Sequence, residues 1–113
     1  MTRRLVRAYI QMLPRSAGGR STPIISGYRS LVRFDATGVD FGFELQLEAE
    51  SVEPGESGFG CLSLWATAEI PDLSVGQGFE LREGTRIVGH GSILDLCVSI
   101  PGLQDSPDNW TRR

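Results

Sequence analysis

The chain has one histidine, two cysteines and no lysine, and these scarcities narrow the chemistry open to it. A hydrolytic triad needs a base, and His90 is the sole imidazole. It stands between Gly89 and Gly91 in a segment that reads as a β-strand, where a solvent-facing or lightly packed histidine is expected. The Gly89-His90-Gly91 run is no dinucleotide fingerprint, because it lacks a third glycine and a following helix to offer its N-terminus to pyrophosphate. No GxxxxGK[ST] loop occurs, and without lysine its phosphate-gripping residue is missing. Glu44, Glu48, Glu50 and Glu53 are spread along a strand and turn, where a solvated face accounts for them without acid–base catalysis. Cys61 and Cys97 form a single possible pair; in a reducing compartment they are expected as free thiols in or near the core, and a metal site needs more ligands than they and His90 supply. No enzyme activity, metal or cofactor is expected.

The elements that carry these residues read as β-structure throughout. Residues 4–13 alternate, with Val6, Ala8, Ile10 and Met12 on one face and Arg7 and Gln11 on the other, until Pro14 ends the strand. Residues 15–27 are small, polar and broken by Gly18-Gly19 and Pro23. Tyr28 to Phe34 is a second strand, with Tyr28, Phe34 and either Leu31 or Val32 as its apolar content. After a turn at 35–38, Phe41, Phe43, Leu45 and Leu47 alternate with Gly42, Glu44, Gln46 and Glu48, the cleanest period-2 pattern in the chain. Glu53-Pro54-Gly55-Glu56 is a turn. Gly58 to Ile70 is a fourth strand with two open registers, Leu62 and Leu64 inward or Cys61 and Trp65 inward. Pro71 to Gly78 is a loop, and Gly78 to Leu96 reads as a hairpin reversing at Glu83-Gly84. Six strands with frequent turn signals and no helical period predict a single antiparallel β-barrel. It is expected to span residues 1–100, followed by a frayed tail at 101–113 in which Trp110 either packs on the barrel or anchors a partner.

Charge is segregated along the chain. Residues 1–34 hold seven arginines and no acid, whereas residues 35–80 hold ten acids and no base. Two outcomes are open: a basic and an acidic face on one small barrel, or strand neighbours that bring the halves together as cross-strand ion pairs. The net charge of −3 argues against a strong general nucleic-acid binder. No apolar run reaches the roughly 20 residues that a helical membrane span needs, and Arg7 and Gln11 interrupt what would be the apolar centre of a signal peptide. A cytoplasmic location is the default expectation.

Two runs carry a further signal. The first comprises Gly18, Gly19, Arg20, Thr22, Pro23, Gly27, Tyr28, Arg29 and Phe34; the second comprises Phe79, Arg82, Glu83, Gly84, Arg86, Val88, Gly89 and Gly91. In order and spacing they resemble the GGRxTPxxxGYRPxxxF and FxxREGxRxVGxGxV segments of the C-terminal, third β-barrel domain of bacterial elongation factor Tu. The resemblance covers residues 4–97 and implies a closed six-stranded antiparallel barrel, with a long ordered loop at 15–27. It also implies a domain without the GTPase activity of the factor, which belongs to a separate N-terminal domain. In that family the barrel packs against its sister domains and touches the backbone of aminoacyl-tRNA. By position the contacts fall on Arg20, Thr22, Glu83 and Gly84, with Arg29 extending a basic patch. Ser21 stands where the family usually has histidine, and Ser30 where it has proline.

The logic of such contacts is recognition of an A-form backbone: arginine neutralises phosphate, a hydroxyl donates to it, glycine allows close approach, and a carboxylate accepts from a 2′-hydroxyl. The implied function is a binding module that contacts tRNA or another structured RNA. The alternative is a protein-interaction module that mimics the factor's third domain without binding RNA. A purely architectural role for the same residues is also open, with Arg20, Arg29, Glu83 and Arg86 as an ion-pair network that ties the loop to the hairpin.

Overall fold

A computed structural model describes residues 4–65 and 72–98, with side chains described as far as Leu96 in the last strand. The strands are β1 (Arg4–Met12), β2 (Ile24–Ile25), β3 (Arg29–Phe34), β4 (Asp40–Leu47), β5 (Ser51–Val52), β6 (Ser57–Leu64), β7 (Gly78–Glu83) and β8 (Arg86–Val98). Six of them close a barrel in the order β1-β6-β4-β3-β7-β8, every neighbour antiparallel, while β2 and β5 pair separately as a short ribbon. Closure leaves no unpaired strand edge in the barrel wall.

Alternation decides which side chains fill it. Val6, Ala8, Ile10 and Met12 point inward from β1, and Phe41, Phe43, Leu45 and Leu47 from β4, as their spacing predicts. In β3 the inward residue is Val32, not Leu31, and in β6 the register resolves to Leu62 and Leu64 inward. Cys61 then points outward, where it is nevertheless buried beside Leu5, and Trp65 lies outside the wall against Gly42. Phe34 meets Phe79 edge to face at 5.7 Å, and Tyr28 meets Phe43 at 5.9 Å, which is the preferred geometry of aromatic quadrupoles.

The loop expected at 15–27 has structure of its own: a 3-10 turn at Arg15–Ala17, and the β2 pairing of Ile24 with Val52 of β5. Ile24 and Val52 are buried in the barrel core, and the β2–β5 ribbon escaped the sequence reading because two residues are too few to show a period. The fourth strand was expected to run to Ile70, but its described pairing ends at Leu64. Residues 66–71, the Cys97 side chain and the tail at 101–113 with Trp110 lie outside the described residues.

Charge segregation resolves into cross-strand pairs. Arg7 reaches Glu48 at 3.0 Å, Arg29 reaches Glu44 at 3.4 Å and Arg33 reaches Asp40 at 2.8 Å, each joining the arginine-rich start of the chain to its acidic middle. These pairs are partly exposed and are worth about 0–1 kcal/mol each. The Arg29–Glu44 and Arg33–Asp40 pairs favour the observed β3–β4 register over shifted ones, whereas Arg7–Glu48 reaches across β6 from β1 to the residue after β4.

At one place the wall and its filling touch too closely for any side chain. A Cβ on Gly91 would sit 2.3 Å from the Tyr9 carbonyl oxygen and 2.4 Å from the Phe79 ring. Gly91→Ala is therefore expected to destabilise the barrel by about 1–3 kcal/mol through overpacking. Ser92→Ala, one position along on the outer face, is expected to stay within about 0.5 kcal/mol. Urea denaturation of the two variants checks this; equal midpoints would contradict the tight seam.

Candidate binding site

The two sequence motifs lie far apart in the chain and meet at one end of the barrel. β1 ends there, β3 begins there, and the β7–β8 hairpin turns there, so the antiparallel order alone brings loop 13–28 beside residues 83–86. Glu83 is the hub. One of its carboxylate oxygens accepts from the Arg20 guanidinium and from the Tyr28 hydroxyl, the latter at 2.7 Å. Its other oxygen faces Arg86 at 3.6 Å. Arg20 also lies over the Tyr28 ring, 4.9 Å from its centroid, and turns back on its own loop, donating to the Thr22 carbonyl at 3.3 Å and hydroxyl at 3.1 Å. One carboxylate thus fixes the loop, the start of β3 and the hairpin together.

The hairpin side is braced independently. Arg82 pairs with Glu80 at 2.8 Å and donates to the Thr85 carbonyl at 3.2 Å, across the turn made by Gly84 and Thr85. Gly84 adopts φ +64°, a left-handed conformation that glycine enters without the Cβ penalty, and it is exposed at the tip. Thr22 is also exposed, as is much of Arg86, whereas Arg20 is mostly covered by its partners. The resulting surface has a fixed charged floor with a hydroxyl, a bare backbone turn and the half-exposed Arg86 guanidinium at its rim.

Four of the five residues expected from sequence are therefore together: Arg20, Thr22, Glu83 and Gly84. Arg29 stands apart. Its guanidinium turns to Glu44 and lies 5.3 Å from the Trp65 ring centre, on the β4 side, so it is not part of the Glu83 cluster that the ion-pair reading assigned to it. Alternation on β3 is the reason, since Arg29 pairs across the sheet with Glu44 of β4. Tyr28 is the member that the sequence reading missed, having counted it only as apolar content. Its place inside the GYR run was the available signal.

The cluster perturbs its own titration. For Glu83, burial favours the neutral form, but hydrogen bonds from Tyr28 and Arg20 and the positive charges of Arg20 and Arg86 outweigh it, so its pKa lies below the ordinary 4.5. Burial first, and then the hydrogen bond to Glu83, push the Tyr28 hydroxyl up to about 12. The signs follow by linkage. The contribution of Glu83 is full above the ordinary glutamate pKa and is lost as pH falls through its lowered value; that of Tyr28 is full below about 10 and is lost as pH rises towards about 12. Glu83→Gln is expected to cost about 1 kcal/mol at neutral pH, at the low end for a charged hydrogen-bond hub because the site is partly exposed. Thermal unfolding across a pH series should show that difference closing under acid conditions, and Tyr28→Phe should remove the alkaline loss. A deficit in Glu83→Gln that is the same at every pH would overturn the hub assignment.

No known protein-family model matches the chain. Among the described residues, no helix is long and apolar enough to cross a membrane.

Proposed function

We propose that the barrel is a non-catalytic binding module, related to the third domain of elongation factor Tu, that contacts tRNA or another structured RNA through loop 20–22 and turn 83–86. The observation that carries this reading is the convergence of Arg20, Thr22, Glu83 and Gly84, separated by some sixty residues of chain, on one exposed end of a rigid barrel. Backbone recognition of an A-form helix needs such a set on a fixed scaffold, because shape rather than base sequence is being read. Arg86, more than half exposed, is the guanidinium best placed to meet phosphate. Arg20, held by Glu83, would orient the loop and the Thr22 hydroxyl.

A second reading is favoured by one specific observation. Arg7, Arg20, Arg29, Arg33, Arg82 and Arg86 all lie against carboxylates within the chain, which reduces the positive charge left for phosphate. On that reading the same end is a protein-docking surface resembling the factor's third domain.

Binding of labelled aminoacyl-tRNA at low and near-physiological salt separates the two. RNA recognition predicts affinity that falls with added salt, and a log–log slope reduced by about one in Arg86→Ala. Arg20→Ala should weaken binding further by freeing the loop. Absence of binding at low salt would reject the RNA reading and leave the protein-docking one.

A further inference from the structure

The outer face of the barrel carries exposed apolar side chains on three adjacent strands. Leu94 of β8 is the extra residue of a bulge opposite Arg7 and is 37% exposed; Phe59 of β6 is 45% exposed; and Tyr9 of β1 lies between their strands. Tyr9 and Phe59 pair across the strands and meet edge to face at 5.7 Å. A contiguous group of large apolar side chains on the solvent face of a barrel is the kind of surface that interaction sites use.

The surroundings say what kind of partner fits. The segment from Glu48 to Glu56 contains Glu48, Glu50, Glu53 and Glu56 and no basic residue. It is tied directly to the aromatic pair. The Glu48 N–H donates to the Phe59 carbonyl at 3.0 Å, and Gln11, which accepts from the Tyr9 hydroxyl at 3.2 Å, donates to the Gly55 carbonyl at 3.1 Å. Arg7, the guanidinium nearest this surface on β1, is taken by Glu48. Glu50, Glu53 and Glu56 are exposed, and the Glu53 N–H donates to the Glu56 carboxylate at 3.1 Å. Asp95, opposite Arg7 and next to Leu94, and the exposed His90, opposite Gln11, are further titratable neighbours on β8.

We propose that this surface docks an arginine- or lysine-rich segment of a partner protein, with an apolar side chain of that segment against Tyr9 and Phe59 and its cations against Glu50, Glu53 and Glu56. Charge complementarity selects the occupant: the acidic turn repels the phosphates of nucleic acid and of anionic membranes, while aromatic faces and carboxylates both attract cations. The acidic segment adjoins the loop that carries Arg20 and Thr22, because β5 pairs with β2, yet a cationic peptide read out at Tyr9 and residues 48–61 tests this surface whether or not RNA binds at loop 20–22.

The test is an amide chemical-shift titration of the full chain with a short peptide of alternating leucine and arginine, using a leucine–glutamate peptide as control. Shifts are expected to concentrate at Tyr9, residues 48–56 and residues 57–61. Affinity should fall about tenfold or more in Phe59→Ser, as for an interface anchor, and in the triple variant Glu50→Gln, Glu53→Gln, Glu56→Gln, which should also lose its salt dependence. All four positions are exposed, and native spectral dispersion of each variant verifies folding. No binding, shifts centred elsewhere, equal binding of the glutamate peptide, or unchanged affinity in the variants would each overturn the proposal.

Discussion

Everything in this molecule depends on the seam between β1 and β8. The other five junctions of the barrel join strands closer in sequence, but this one pairs Arg4 with Val98 and Met12 with Gly89, nearly the whole described chain apart. Until it forms, β1 and β8 are edges with unpaired backbone groups, and the inward faces of six strands have no common interior. Once it forms, the alternation within each strand becomes binding, since a slip of one residue would turn Val6, Ala8 and Ile10 into solvent and bring Arg7 and Tyr9 inside. The seam has no room for side chains at Gly91, and it accommodates an additional residue at Leu94 through a bulge.

The closed wall makes the Glu83 cluster possible. A partly buried carboxylate with two donors and a facing cation holds its geometry only if those groups arrive on fixed elements, and here they come from the loop, from just before β3 and from the foot of β8. No single contact there is strong by itself. Together they convert a glycine-rich segment, which by composition would be free to move, into part of the barrel end. The outer-face ion pairs act differently, contributing little energy but agreeing with the register that the core demands.

How much of this was legible in the sequence differed by element. The period-2 pattern from Phe41 to Leu47 is unambiguous because every second residue is bulky and apolar, and its faces were read correctly. The stretch from Cys61 to Trp65 was not readable, because Cys61, Leu62, Leu64 and Trp65 offer apolar groups to both sides; only the pairing of β6 with β1 and β4 decides which side is interior. The β2–β5 ribbon was invisible, since local period carries no information over two residues. For the candidate site, Arg20, Thr22, Glu83 and Gly84 were found together through motif resemblance, not through local physics. Arg29 was misplaced because a motif records neighbours in sequence, whereas the alternation of β3 sends this side chain towards β4. Tyr28 was half-read: its ring was counted as apolar content, and its hydroxyl was given no task.

The pairing of Arg4 with Val98 also has a mechanical meaning. Force applied to the start of β1 and the end of β8 would act at the same end of two antiparallel neighbours, across their ladder and not along it. Hydrogen bonds perpendicular to the strands would then be loaded one after another, beginning with the outermost pair, instead of all together in shear. The contact that completes the barrel is thus the one a pull on these two points would peel open first.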